Sequence, residues 1–275
     1  MDGSKIFRNS TINNHKYGGV KMDVSKIKDA ASKAKKEIMD KNFNKGNDRH
    51  YAMSDDIFEI VYSNCLPEWS MEHSERMGLM GILHKLRPQV AIEIGTYKCG
   101  SLSLISQYSQ YVFSIDIDES IPSRFTQFKN VSFLSGDSKY ILPILINELS
   151  SRDLNIGFYL VDGDHSYDGV KSDINNILES YIPKHPAVIM CHDSFNPECR
   201  KGMKEANWSN SLNVHYVDMD FIPGRRIENG SPARGQLWGG LALAYINPAS
   251  RNGDLVVQAS SELMFQELNS ASTPS

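Results

Sequence analysis

Residues 90–101 read V-A-I-E-I-G-T-Y-K-C-G-S: a short apolar run interrupted by one carboxylate, then a turn bounded by two glycines. Before this stretch the apolar residues recur at helical steps. After it, short apolar runs alternate with amphipathic segments. Val90–Ile94, Tyr111–Ile115, Val131–Leu134, Ile156–Val161 and Ala187–Cys191 read as strands, with helices near 100–108, 138–150 and 168–181 between them. This alternation implies a parallel sheet with right-handed crossovers and helices on both faces. Val214–Val217 and Trp238–Ile246 add two strands that fit an antiparallel edge.

Upstream, Asp23 to about Lys41 forms an amphipathic pattern, with Val24, Ile27, Ala31, Ala34 and Ile38 recurring at three- and four-residue steps among lysines. The lysines read as the solvated face of an accessory helix. Ser54-Asp55-Asp56 reads as the N-cap of a helix through Ile57, Ile60 and Val61 that closes near Pro67. A further helix spans Met71 to Leu86, with Met77, Met80, Ile82 and Leu83 on its inner side, and Arg87-Pro88 stops it. Residues 1–21 are polar and Asn-rich, and the tail beyond Asn247 runs out in S-A-S-T-P-S; both read as loosely ordered. The organisation is thus an N-terminal extension with accessory helices (1–74), one α/β domain (75–250) and a C-terminal tail (251–275).

A net charge of −4 argues against a general nucleic-acid surface, which needs a basic excess. No apolar run reaches the roughly 20 residues of a membrane span, and the N-terminus has no apolar signal core. Cys65, Cys99, Cys191 and Cys199 are too scattered for a disulfide framework or zinc knuckle and read as free thiols in a reducing cytoplasm. The expected partner is a small molecule, with no nucleic acid and no membrane; a homo-oligomer is compatible with the sequence.

The turn at 95–101 narrows the ligand. In an open α/β sheet, ligands bind beyond the carboxyl ends of the strands, where the loops diverge. A nucleoside-triphosphate loop requires Lys-Ser/Thr after its second glycine, whereas here Gly100 is followed by Ser101-Leu102. A dinucleotide loop requires G-x-G-x-x-G, which Thr96-Tyr97 break. The turn therefore suits a ligand without a pyrophosphate. Asp116 ends the second strand about twenty residues on, the position of an acidic ribose acceptor. Ser135-Gly136-Asp137-Ser138 after the third strand offers polar groups to a base edge. An adenosine with a small polar appendage fits these stations, and Glu93 can orient the loop or hold an amino group of that appendage.

The successive segments E-I-G-T-Y-K-C-G-S (93–101), S-I-D-I-D (114–118), S-G-D-S (135–138) and V-D-G-D-H-S-Y-D-G-V (161–170) together resemble the motifs of class I S-adenosylmethionine-dependent methyltransferases. The likeness spans roughly residues 75–246. It is nearest to the group of small-molecule O-methyltransferases of antibiotic-sugar pathways and the cephalosporin-cluster proteins. It implies a Rossmann-like, doubly wound, mostly parallel seven-stranded sheet with helices on both faces and an N-terminal helical extension. It also implies S-adenosylmethionine as cofactor, with methionine near Gly95, ribose at Asp116 and adenine near Asp137-Ser138. The candidate cofactor-binding set is Glu93, Gly95, Thr96, Gly100, Ser101, Asp116, Asp137, Ser138 and Asp162.

The run Asp162-Gly163-Asp164-His165-Ser166-Tyr167-Asp168-Gly169 carries the densest chemistry. A calcium loop fails, because its sixth position is Tyr167 instead of glycine and a strand precedes it. Asp164 and Asp168 suit a turn and a helix start. If the strands ending at Asp162 and at His192-Asp193 are neighbours, their side chains face one site. Two carboxylates with a neutral donor suit Mg²⁺, which would acidify an acceptor hydroxyl. His165 is placed to take the acceptor's proton. In the resembled metal-assisted sugar methyltransferases the Asp162 position binds metal and the His165 position is the base. Those enzymes carry two acidic residues where this chain has His192-Asp193. Three outcomes stay open: a softer ion held by Asp162, His192 and Asp193; His192 as a second base; or no metal.

Phe221–Gly235 reads as a lid or acceptor loop whose Arg225, Arg226 and Arg234 are either solvated or face an anionic acceptor. Trp208 and Trp238 read as packing residues. The activity these features suggest is methyl transfer to a hydroxyl of a natural product or sugar. The alternatives are a non-catalytic nucleoside-binding scaffold of the same fold, or a different reaction, such as hydroxylation, on it.

Overall fold

The computed structural model describes residues 23–43, 69–228 and 234–270. The helix expected from Ser54, Cys65, the first 21 residues and the last residues of the tail lie outside these. Two helices precede the sheet, α1 (Val24–Phe43) and α2 (His73–Leu86). The alternation then runs β1 (Val90–Ile94), α3 (Gly100–Tyr108), β2 (Tyr111–Asp116), α4 (Ile121–Arg124), β3 (Val131–Ser135), α5 (Ser138–Ser151), β4 (Ile156–Val161), α6 (Tyr167–Ser180), β5 (Ala187–His192) and α7 (Pro197–Lys204). It closes with β6 (Val214–Ile222), β7 (Arg225–Arg226), β8 (Leu237–Trp238), β9 (Leu241–Ile246), β10 (Val256–Gln258) and α8 (Glu262–Ser270).

Eight strands form one sheet in the order β3-β2-β1-β4-β5-β9-β6-β10. β1 to β5 are mutually parallel, and β9 runs antiparallel to both β5 and β6. The chain therefore steps outward from β1 to β3, then reverses through β4 and β5, which places the switch point between β1 and β4. The two-residue period of a strand divides the core. Val90, Ile92 and Ile94 join side chains of α1, α5, α6 and α7, while Ala91 joins those of α2 and α3 on the other face.

Local chemistry fixes how the helices sit. On α1, Ile27, Ala31, Ala34 and Ile38 are buried as expected and the lysines point outward; Lys35 Nζ donates to the Arg152 carbonyl at the end of α5. Pro143 within α5 cannot donate to the Lys139 carbonyl, and Asn176 Nδ2 of α6 donates to it instead at 3.3 Å. The defect becomes a tie between two helices. α2 starts with a reciprocal cap between Glu72 and Glu75 and stops at Arg87, in the left-handed conformation ahead of Pro88.

Three expectations change. The sheet has eight strands where seven were implied, because β10 pairs parallel with β6; the β6/β9 pair is antiparallel as expected but is not the edge. The stretch after Asn247 accordingly carries a strand and a helix instead of a frayed tail. On α2 the buried residues are Glu75, Leu79, Met80 and Leu83, whereas Met77 is exposed. Trp208 is buried and donates to the Met203 carbonyl, a packing role as expected. None of the helices among the described residues is long and apolar enough to cross a membrane.

Arg200 of α7 anchors the C-terminal helix. Its guanidinium is stacked between Phe195 and Phe265 and lies 3.0 Å from both Asp220 and Glu262. With Arg200 only 1% exposed, removing it leaves the buried Asp220 carboxylate without a counter-charge. We expect Arg200→Ala to lower the unfolding free energy by about 3–5 kcal/mol, measured by urea denaturation; a loss below about 1 kcal/mol would show that the stack carries no such burden.

Candidate active site

The switch point puts the carboxyl ends of β1 and β4 side by side. Asp162 N–H donates to the Ile94 carbonyl at 2.9 Å, and Gly95, at φ +89°, passes so close that a Cβ there would lie 2.0 Å from the Asp162 carbonyl oxygen. Only glycine satisfies both the dihedral and the contact. Beyond this junction opens a cleft of about 820 Å³, a size typical of small-molecule sites. Every candidate residue named from the sequence lines it except Glu93. Trp69, Tyr97 and Ile117, which the sequence reading did not select, line it too.

The first turn is held from beneath. Asp116 Oδ2 accepts from Thr96 N–H at 2.8 Å and Tyr97 N–H at 3.0 Å, and Oδ1 accepts from Asp118 N–H. Asp116 therefore fastens the turn while lining the cleft. These bonds hold Tyr97 at φ 47° and Cys99 at φ 62°, conformations non-glycine residues adopt only under constraint. Glu93 is fully buried, and its two oxygens accept from Ser101 Oγ and Ser114 Oγ, each at 2.7 Å. It holds the hydroxyl layer below the cleft and does not reach the cleft itself. Burial pushes its carboxyl up to about 8, against the two serine bonds. Asp137 caps α5 by accepting from Lys139 N–H, and Ser138 donates to Asp173 of α6.

On the opposite wall the two halves of the predicted cluster meet, because β4 and β5 are neighbours. His192 Nδ1 lies 2.9 Å from Asp162 Oδ1, and its Nε2 lies 3.3 Å from Glu75 Oε2. His165 Nε2 lies 3.4 Å from Asp162 Oδ1, and its Nδ1 lies 3.4 Å from Asp193 Oδ2. Glu75 is the residue the sequence reading missed. It is 2% exposed and also accepts from the N–H groups of Gly240 and Glu72. Its signal was a carboxylate four residues before Leu79 and eight before Leu83, on the face of α2 that should be apolar. Asp164 accepts from Ser166, and Ser166 caps α6, which bears out a turn role for Asp164.

The electrostatics follow from this pairing. Burial alone would lower the His192 imidazolium, but Asp162, then Glu75 and Asp193, overcome it and hold the ring well above its ordinary value. Asp162 pays a burial penalty in the opposite sense, yet His192 and His165 bring it down to about 2. His165 is raised by its bond to Asp162, against burial, with help from Asp193. The raised pKa favours an imidazolium between Asp162 and Glu75, a form with no lone pair to offer an ion. Among the described residues no group of three histidine, cysteine or carboxylate side chains could hold one. The set Asp162, His192 and Asp193 thus does not fit a divalent metal; the imidazolium supplies the positive charge between the carboxylates. Cys99, Cys191 and Cys199 are free and buried, and burial raises all three thiols. Arg225 pairs with Glu72 at 2.7 Å on a ribbon formed by β7 and β8, and residues 229–233 of that loop lie outside the described residues.

No protein-family model matches the chain. No curated protein matches it either. Among solved structures it is similar to the O-methyltransferase TomG of Streptomyces achromogenes, involved in tomaymycin synthesis and solved with SAM, at 15% identity over 79% of this chain and 89% of that one, TM-score 0.46. It is similar to an O-methyltransferase from Bacillus cereus in complex with SAH at 12% identity, covering 78% and 91%, TM-score 0.44. An rRNA methylase from Streptococcus thermophilus matches at 9% identity, covering 65% and 99%, TM-score 0.44. Likeness this remote leaves ligand and reaction to be read from the site.

Glu93 gives a pH signature. Its folded value of about 8 lies above its ordinary 4.5, so the native state keeps a proton that the unfolded chain releases. The stability from that proton is complete below about 4.5 and is lost as pH rises toward 8. Glu93→Gln removes the slope. In ligand-free protein, the variant's stability relative to wild type should climb between pH 5 and 8, by an amount on the order of a few kcal/mol, and level off above. Parallel stability–pH curves from denaturant titrations would contradict this.

Proposed function

We propose that the chain is an S-adenosylmethionine-dependent O-methyltransferase acting on a hydroxyl of a small molecule, a natural product or a sugar, without a metal. The observation that carries this reading is the cleft at the β1/β4 switch point, where the first turn around Gly95 faces the His165–Asp162 pair. The lining is strongly acidic, six aspartates against Lys98 and Arg124 besides two histidines. That charge favours a ligand with a sulfonium and an ammonium group, and disfavours an anionic acceptor.

When bound, S-adenosylmethionine supplies an electrophilic methyl group on a positively charged sulfur. The chain's residues supply position and a proton path. Gly95 lets the backbone approach the ligand, and Asp116 Oδ1 and Ser138 face its ribose and base. His165 donates Nε2–H to Asp162, which leaves the Nδ1 lone pair to take the acceptor hydroxyl's proton. The new Nδ1–H then faces Asp193, whose charge stabilises the imidazolium. His192 does not exchange protons in this scheme. Its single positive charge is shared between Asp162 and Glu75, which helps keep Asp162 ionised and His165 oriented. Methyl transfer is an in-line displacement, and fixing the acceptor oxygen against the methyl group provides much of the acceleration.

Isothermal titration with S-adenosylhomocysteine should show one site per chain; absence of binding would sink the cofactor reading. With a competent hydroxyl acceptor, His165→Ala should lower kcat by about 10²–10⁴-fold while S-adenosylhomocysteine still binds. Because His165 must be neutral to accept a proton and its pKa is raised, the wild-type rate should increase with pH through a limb above the ordinary imidazole value of 6.5. That limb should vanish in the variant.

EDTA treatment should leave turnover unchanged, measured by S-adenosylhomocysteine release. A loss restored by Mg²⁺ or Mn²⁺ would overturn the metal-free assignment. Binding without transfer to any acceptor would favour a nucleoside-binding scaffold instead.

A further inference from the structure

Asp173 of α6 is a carboxylate the mechanism above does not use. It is 2% exposed, among the apolar residues Val170, Ile174 and Ile177. Its Oδ1 accepts from Ser138 Oγ at 2.7 Å, and its Oδ2 is buried with no hydrogen-bond partner. An aspartate in this position costs stability through desolvation, so it needs a compensating role. The group it holds is the first residue of α5, which lines the cleft where the strand-3 turn would meet a base.

A hydroxyl has one proton and two lone pairs. If the proton points inward to Asp173, Ser138 presents only lone pairs to the cleft. A base edge bearing an amino group then finds an acceptor, and one bearing a carbonyl in that place meets lone pairs with no proton between them. We infer that Asp173 is a positioning residue that fixes the Ser138 hydroxyl as an acceptor and so selects a 6-amino purine over a 6-oxo purine in the nucleoside ligand. This deepens the cofactor reading above and rests on it. Asp137 and Asp164 are the charged groups that face Asp173 from the neighbouring elements, and burial with these like charges pushes its carboxyl up to about 7, against the Ser138 bond. Selection is therefore to be measured at pH 8.5, where the carboxylate is ionised.

The test is titration calorimetry with S-adenosylhomocysteine and with S-inosylhomocysteine, which carries a carbonyl in place of the adenine amino group. Wild type should bind the adenosyl ligand at least about tenfold more tightly. That ratio should fall by about tenfold in Asp173→Ala and in Ser138→Ala, and stay within about twofold of wild type in Asp173→Asn, whose amide oxygen still accepts from the serine. If Asp173→Ala does not fold, the serine and asparagine variants carry the test. An unchanged ratio in either alanine variant, or a ratio lost equally in Asp173→Asn, overturns the inference. Absence of S-adenosylhomocysteine binding in wild type overturns the cofactor reading itself, a distinct result.

Discussion

The contact between Gly95 and the Asp162 carbonyl is the constraint on which the site depends. At a switch point the two strands diverge in the direction of their next connections, and the gap between them becomes a cleft only if the strand ends stay pinned. The Asp162 N–H to Ile94 carbonyl bond does the pinning, and the missing side chain at Gly95 permits it. From that junction the first turn lies along one wall. The Asp162 side chain starts the other. A residue larger than glycine at position 95 would force β4 away from β1 and separate the first turn from the His165–Asp162 pair.

Pinning brings charge together, and burial makes charge costly. Glu75, Asp162 and Asp193 are three carboxylates within reach of one imidazole ring. His192 supplies a counter-charge through two directional contacts, one to Asp162 and one to Glu75. The consequence is geometric: one ring ties α2, β4 and β5 into a single wall, and the N–H of Gly240 at the start of β9 is bonded to the same Glu75. One positive charge on that ring against three carboxylates leaves the wall short of neutral, so its acidic character persists.

Much of this was legible in the sequence, and what was not has physical causes. The five parallel strands and the convergence of Asp162 with His192-Asp193 follow from alternation and from βαβ topology, since buried strands are apolar on both faces. Glu75 was hidden because periodicity assigns inner helix positions to apolar residues. A carboxylate paired across 117 residues to His192 leaves no local pattern. The same bias placed Met77 inside, whereas a position two residues from both Glu75 and Leu79 falls on the opposite, exposed face. β10 was missed because it is three residues long with Val256 and Val257 exposed, so it has no buried face to advertise. The role of Asp116 in fastening the first turn was also out of reach, for the backbone groups it binds become neighbours only after β1 and β2 pair.

The lower side of the cleft follows a different rule from its wall. Beneath it lie two carboxyl groups, Glu93 and Asp173, neither of them opposed by a positive charge in the bonds that hold it. Each is instead bonded to serine hydroxyls, Ser101 and Ser114 for the first and Ser138 for the second. Burial raises both acids, to about 8 and about 7, so near neutral pH both stand close to their titration points. The hydroxyls then act as adaptors. Ser101 and Ser138 bring hydroxyls to the cleft whose directions are set one layer down, while the aspartates of the lining supply its acidic character. Such a division suits a ligand that carries its positive charge on a sulfonium and an ammonium group but is recognised through an uncharged base.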